Sequence, residues 1–180
     1  MYKKWDAVDL LRHVRHDWLN QLQLIKGNLM LNKPARAEKV IDEIIVRAKQ
    51  DAKLTSLNMP DLAGILLTFN WGSHRFLLDY EVVGEERDLS TFEETILNWF
   101  VMLIDILDRE TDEFGENHLL VTFLLVDEKT RITIDFNGKI KNIEEIKRLE
   151  SKALPSFSVI ESEIEHDQLL ITLELNENGV

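Results

Sequence analysis

The sequence predicts an α+β protein: a helical hairpin that forms a four-helix bundle by dimerisation, followed by an α/β sandwich. Two observations carry this expectation. Residues 6–57 keep the apolar spacing of amphipathic helices and are interrupted once, at Asn32-Lys33-Pro34. From His74 onward, short strand-like runs mix with helical stretches, and the last two runs form an apolar hairpin, a pattern that places helices on one face of a sheet. Asn58-Met59-Pro60 marks the boundary, so residues 1–60 and 61–180 are expected as separate units.

The first helix is predicted over residues 6–31. Leu11, Val14, Trp18, Leu22, Ile25 and Leu29 form its apolar stripe. Pro34 suits the first turn of a second helix reaching residue 57, with Ala37, Val40, Ile41, Ile44, Ala48 and Leu54 on its inner side. A link this short makes the pair antiparallel. Two amphipathic helices leave apolar surface uncovered, which a second copy would cover as a four-helix bundle. Residues 61–71 read as a short helix and 76–83 as a strand ending at Gly84. Ser90 and Glu93 have capping-box spacing for a helix running to Arg109. Residues 119–126 and 131–136 are predicted strands with a polar turn between them, and 142–151 a helix. Residues 157–164 and 169–175 pair across His166-Asp167.

The chain has no cysteine, which excludes disulfides, thiolate metal sites and Cys nucleophiles and suits a reducing cytoplasm. No apolar run approaches a membrane span, and Lys3 and Lys4 are followed by no apolar segment of a signal peptide. A cytoplasmic protein without a membrane partner is expected. The net charge of −12 argues against nucleic acid as a partner. That charge is uneven: residues 1–60 hold eleven Lys and Arg against seven Asp and Glu, whereas the remainder holds ten against twenty-six. The mildly basic first third suits an acidic protein surface or a phosphoryl group.

The chemistry concentrates on the polar side of the first helix. At ~100° per residue, Asp9, Arg12, Asn20, Gln23 and Gly27 fall within ~40° of His16, opposite the apolar stripe. His16 therefore faces away from its own core, towards whatever docks. A neutral imidazole is a good nucleophile towards phosphorus, and an ordinary pKa of ~6.5 keeps it largely neutral at cytosolic pH. Asp17 can fix its tautomer and orientation, although it lies ~100° round the helix. Arg12 can offset phosphoryl charge, and Asn20, one turn on, can hydrogen-bond at an interface. Arg15, Gln23 and Gly27 complete the surface expected to meet a partner. His13 is the rival nucleophile but has no adjacent acid. His13 and His16 could instead ligate a metal with Asp9 or Asp17, although no third histidine lies nearby. His74, His118 and His166 read as surface or capping residues.

The run Arg15-His16-Asp17-Trp18-Leu19-Asn20-Gln21-Leu22-Gln23-Leu24-Ile25-Lys26-Gly27-Asn28-Leu29 resembles the phosphoacceptor helix of the sporulation initiation phosphotransferases of endospore-forming bacilli. It is also similar to the H-box of sensor histidine kinases of the citrate and fumarate type, which share its His-Asp-x-x-Asn core. The likeness continues through Leu66-Leu67-Thr68-Phe69-Asn70-Trp71, Tyr80-Glu81-Val82-Val83-Gly84-Glu85 and Glu116-Asn117-His118-Leu119, which favours the phosphotransferases. The resemblance implies a homodimer with a histidine-kinase-like α/β domain on each subunit. It implies that His16 takes a phosphoryl group from the aspartate of a single-domain response regulator and passes it to an aspartate on a DNA-binding one. No cofactor is then expected on this chain, and Mg²⁺ is expected on the partner regulator.

Two other classes compete. An ATP-dependent sensor histidine kinase fragment would need a Mg²⁺-binding asparagine helix and clustered glycines for phosphates. The only Asn-x-x-x-Asn is Asn28/Asn32, on the hairpin. The expected helix over 91–109 offers Asn98 amid Trp99, Phe100, Met102 and Ile104, and glycines 72, 84, 115 and 138 stand isolated. A degenerate kinase-ATPase-like domain is the reading for residues 61–180. A non-catalytic dimerisation adaptor would have the same bundle with an inert His16. Phosphoryl labelling separates the three: from a phosphorylated regulator, from ATP, or from neither.

Overall fold

The computed structural model describes residues 5–152 and 156–176. The chain divides into two compact units, Met1–Ala52 and Lys53–Val180. In the first, α1 (Ala7–Met30) and α2 (Pro34–Ser56) are joined by residues 31–33. Asp6 caps α1: its carboxylate accepts the backbone N–H of Val8 and of Asp9, both at 2.8 Å. At the other end Asn32 adopts a left-handed φ of 54°, which asparagine tolerates, and Lys33 donates its N–H to the Asn28 carbonyl at 2.9 Å. Pro34 then opens α2.

The apolar stripe of α1 is split by exposure. Val14 and Ile25 are half-buried, whereas Leu11, Trp18, Leu22 and Leu29 are exposed, Trp18 by 53 %. On α2 Ala37 is buried and Val40 and Ile44 are half-buried, while Ile41 and Ile45 remain exposed. The exposed half is a row at i, i+4 and i+7 spacing, with the period of an interface rather than of scattered surface leucines.

The second unit takes in the last turn of α2, where Leu54 is buried, and Leu57 just beyond it. The transition thus falls a few residues before Pro60. It continues with α3 (Pro60–Thr68), a 3₁₀ turn (Phe69–Trp71), β1 (Leu77–Gly84), a second 3₁₀ turn (Ser90–Phe92) and α4 (Glu93–Glu110). Then come β2 (His118–Val126), β3 (Lys129–Asn137), α5 (Glu144–Glu150), β4 (Phe157–Ile164) and β5 (Gln168–Leu175). The five strands form one sheet in the order β1-β2-β3-β5-β4. The α4 crossover makes β1 parallel to β2, and every other pair is antiparallel.

Alternation sets the layers. Leu119, Val121, Phe123 and Leu125 of β2, Ile132, Ile134 and Phe136 of β3, and Leu169, Ile171 and Leu173 of β5 are buried on one face. Trp99, Phe100, Leu103 and Leu107 of α4, Leu62, Ile65 and Leu66 of α3, and Ile146 and Leu149 of α5 complete the core. Each of the larger side chains contributes about 1.5–3 kcal/mol on burial. The opposite face carries a threonine row, Thr122, Thr133 and Thr172, aligned across β2, β3 and β5. Helices on one face of a mixed sheet are the arrangement the sequence predicts.

Local rules are modified in three places. The capping box at Ser90 and Glu93 does not form: Ser90–Phe92 is a 3₁₀ turn, and Phe92 at the start of α4 gives no side-chain cap. The Glu93 carboxylate instead reaches the N-terminus of α3, accepting from the backbone N–H of Asp61 (2.7 Å) and Leu62 (3.2 Å), where Met59 offers no acceptor. Asp88 accepts from the Ser90 backbone N–H at 2.9 Å, a bond that holds its carboxyl below the usual aspartate range. Gly84 ends β1 at a φ of +101°, and a Cβ there would lie 1.9 Å from the Leu125 carbonyl oxygen, so only glycine fits.

Candidate functional site: the polar ridge of α1

His16 lies in the interior of α1, where the turns on either side fix the direction of its Cα–Cβ bond. Its side chain is 73 % exposed. The ring is held at one nitrogen only. Nδ1 lies 3.2 Å from Nδ2 of Asn20, one turn on, and 3.5 Å from Oδ1 of Asp17. Among the described residues no hydrogen bond engages Nε2, which leaves that nitrogen exposed to an incoming group. The carboxylate that sequence position makes the neighbour of His16 reaches Nδ1 at the long limit of a hydrogen bond, and the amide is closer.

Arg12, expected to offset phosphoryl charge, is paired within the ridge in the unphosphorylated chain. Its Nη1 donates to Oδ1 of Asp9 at 2.9 Å, an i,i+3 ion pair on the same ridge. His13 is half-buried, its ring edge-on to Trp5 with centroids 4.6 Å apart. Its Nδ1 bonds the Asp9 carbonyl oxygen at 2.9 Å, and since that oxygen only accepts, His13 carries its proton there. Arg15 and Gln23 are exposed. Gly27 is open: a Cβ built on it would meet no heavy atom within 4 Å. The ridge therefore brings His16, Asp17 and Asn20 together and ties Arg12 to Asp9.

Two flanking residues are not among the expected partner contacts. Leu19 and Leu24, ~60° and ~80° to either side of His16, are exposed on the polar face. Apolar residues set outside the core stripe were the signal that marks them. Asp9 pairs with Arg12, Asp17 lies beside His16, and Arg15 adds positive charge to the ridge. Among the described residues no group of His, Asp and Glu is arranged to hold a metal ion.

The other histidines are structural in their contacts. His74 stacks on Phe69 with ring centroids 3.8 Å apart, and its Nδ1 meets Asp108 at 2.5 Å. His118 pairs with Asp79 at 2.8 Å, and His166 bonds the Ile140 carbonyl oxygen at 3.0 Å. In α4, Asn98 is exposed while its neighbours Trp99 and Phe100 are core. No helix among the described residues is long and apolar enough to cross a membrane.

Two family models divide the chain between them. That of the sporulation initiation phosphotransferase B C-terminal domain matches residues 58–176, and that of the alpha-helical domain of SpoOB-type sensor kinases matches residues 1–57. The sporulation initiation phosphotransferase B of Bacillus subtilis is 36 % identical over 174 residues, covering 95 % of this chain and 90 % of that one. Among solved structures, the histidine kinase AdeS of Acinetobacter baumannii is 10 % identical at a TM-score of 0.46, covering 91 % of this chain and 98 % of that one. The blue-light activated histidine kinase of Erythrobacter litoralis is 12 % identical at 0.47, covering 97 % and 61 %. Both scores are below 0.5, too low for the likeness to bear on fold or function. The chain belongs to the sporulation initiation phosphotransferase B family.

Proposed function

We propose that the protein carries a phosphoryl group on His16, taken from the aspartyl phosphate of a single-domain response regulator and given to the aspartate of a DNA-binding one, as the transfer step of a cytoplasmic phosphorelay. The observation that supports this reading most is the setting of His16 in a chain of this family: an exposed imidazole on a rigid helix, held at Nδ1 and open at Nε2. Phosphoryl transfer depends mainly on positioning and on charge neutralisation at the moving group. The ridge supplies position. We assign the divalent ion, Mg²⁺, to the regulator, beside its own acceptor aspartate, because the carboxylates near His16 are committed elsewhere. Arg15, Gln23 and Gly27, with Leu19 and Leu24, would form the contact surface. ATP takes no part in this scheme.

We further propose that two copies pair through Leu11, Trp18, Leu22 and Leu29 of α1 with Ile41 and Ile45 of α2, closing a four-helix bundle. Covering Trp18 and Leu22 alone would contribute about 1.5–3 kcal/mol each before the entropic cost of association.

The test is a labelling experiment with three arms. The purified protein is mixed with a phosphorylated regulator carrying ³²P, with ³²P-ATP and Mg²⁺, or with neither regulator nor nucleotide but free ³²P-phosphate. Label from the regulator alone, lost in His16→Gln and kept in His13→Ala, is the expected result. Label from ATP would establish a kinase, and no label in any arm an adaptor; either outcome sinks the proposal.

A further inference from the structure

Resting on the reading that His16 is the phosphoacceptor, we propose that Asp9 and the phosphoryl group compete for Arg12: the guanidinium rests on Asp9 in the unphosphorylated chain and crosses to the phosphohistidine when His16 is loaded. The three residues follow one another along the ridge, Asp9 three positions before Arg12 and His16 four positions after it, so each lies one turn from the arginine. In the free chain Arg12 Nη1 donates to Asp9 Oδ1 at 2.9 Å. The pair is on the surface, with the Arg12 side chain 65 % exposed and that of Asp9 34 % exposed, so the guanidinium has room to swing.

Charge decides the direction of the exchange. An unloaded imidazole carries no negative charge and does not draw the guanidinium from Asp9. A carboxylate offers one negative charge, whereas a phosphoryl group carries about two, spread over three oxygens that suit the parallel N–H donors of arginine. Position works the other way. Side chains on a helix lean towards its N-terminus, so Arg12 extends over the turn that holds Asp9 and must reverse to meet His16. An exposed ion pair is weak, so the second unit of charge tips the balance and its withdrawal tips it back. Asp9 tolerates the loss because it lies in the first turn of α1, where the helix dipole favours an anion.

Loading creates that charge on the ridge. The lone pair of the unprotonated ring nitrogen forms the N–P bond while the P–O bond to the donor's aspartate breaks. The carboxylate leaves with that electron pair, and the ring keeps its proton on the other nitrogen. The exchange then stabilises loaded His16 relative to the loaded regulator, so the Asp9–Arg12 pair sets how the phosphoryl group is shared between the two proteins.

The experiment uses the full chain and a ³²P-labelled phosphorylated regulator, mixed until the label is shared at equilibrium and counted on each protein at low and high salt. Asp9→Asn frees Arg12 and should raise the ratio of loaded His16 to loaded regulator about threefold, the scale of one exposed ion pair. Arg12→Gln should lower it about threefold, Arg12→Lys should restore part of it, and both effects should fade at high salt. The double variant Asp9→Asn/Arg12→Gln should match Arg12→Gln alone, because Asp9 acts only through the arginine. Circular dichroism should show α1 intact in every variant, and opposite changes from the two single substitutions are not what a structural role would give. A ratio unmoved by Asp9→Asn, or a gain that persists in the double variant and so comes from direct repulsion by Asp9, would overturn the exchange while leaving the phosphoacceptor in place. Wild-type label found off His16 by mass spectrometry would instead remove the phosphoacceptor reading, and the exchange with it.

Discussion

Gly27→Ala separates the needs of the chain from those of its partner. A glycine inside a helix costs roughly 0.5–1 kcal/mol relative to alanine, because its backbone has more freedom to lose. Gly27 lies three residues before Met30, the end of α1, its φ is not among the positive ones, and a Cβ there would meet nothing within 4 Å. Alanine should therefore fit without displacement and stabilise the protein by about 0.5–1 kcal/mol. Within the chain the missing methyl brings no gain that offsets this cost. On the proposed contact surface it does. Gly27 follows His16 along the same ridge by ~16 Å, within the span of a docked domain. A partner seated on the bare Cα would be pushed off by the added methyl, with an overpacking cost of about 1–3 kcal/mol, or roughly 5- to 150-fold in affinity. The assay pairs urea denaturation followed by circular dichroism with the regulator-concentration dependence of transfer. Greater stability together with weaker transfer is expected. A destabilised variant would show that the chain itself needs the gap, and a stabilised one with wild-type transfer would show that no partner uses it.

If the wild type sediments as the proposed dimer, Trp18→Asp should sediment as monomer at micromolar concentration, because a carboxylate would have to be buried in the bundle at a cost of several kcal/mol; a wild type that is monomeric would sink the bundle, and a variant that stays dimeric would place the interface elsewhere. Asn70→Ala should destabilise the second unit by about 1–3 kcal/mol, since the Asn70 side chain both donates to the Leu78 carbonyl (2.7 Å) and accepts its N–H (3.0 Å) on the outer edge of β1. The same variant uncovers edge groups, so light scattering on prolonged incubation should rise. Glu174 accepts from Arg131 at 2.7 Å, a bond that, with Lys129 beside it, holds its carboxyl below the usual glutamate range. Its folded value being depressed, it stabilises the protein above the ordinary glutamate pKa and loses that contribution as pH falls through the folded value, so Glu174→Gln should flatten the acid limb of a stability–pH curve.

What the sequence shows clearly is periodic, and what it hides is non-local. The bounds of α1 follow from an Asp6 cap, a 3.6-residue apolar period and an asparagine–proline break, all of them interactions within a few residues. The five strands were visible as alternation, but the parallel pairing of β1 with β2 depends on α4 crossing between them, which no short window of residues contains. Glu93 shows the same limit at the scale of one side chain. Its spacing from Ser90 obeys the capping-box rule, yet the carboxylate goes to Asp61 and Leu62, thirty residues back in the chain, because α3 begins at Met59-Pro60 without an acceptor of its own. On the ridge, helix geometry placed Asp9, Arg12, His16 and Asn20 side by side, but not which neighbour each would choose. Arg12 has an anion three residues before it and an imidazole four residues after it, and it pairs with the full negative charge of Asp9. In the free chain that choice leaves Asn20 and Asp17 as the partners of His16. In the transfer reaction proposed above, Arg12 would have to leave Asp9 before it could meet the phosphoryl group, and Asp9→Asn, which frees it, would show whether that ion pair matters to transfer.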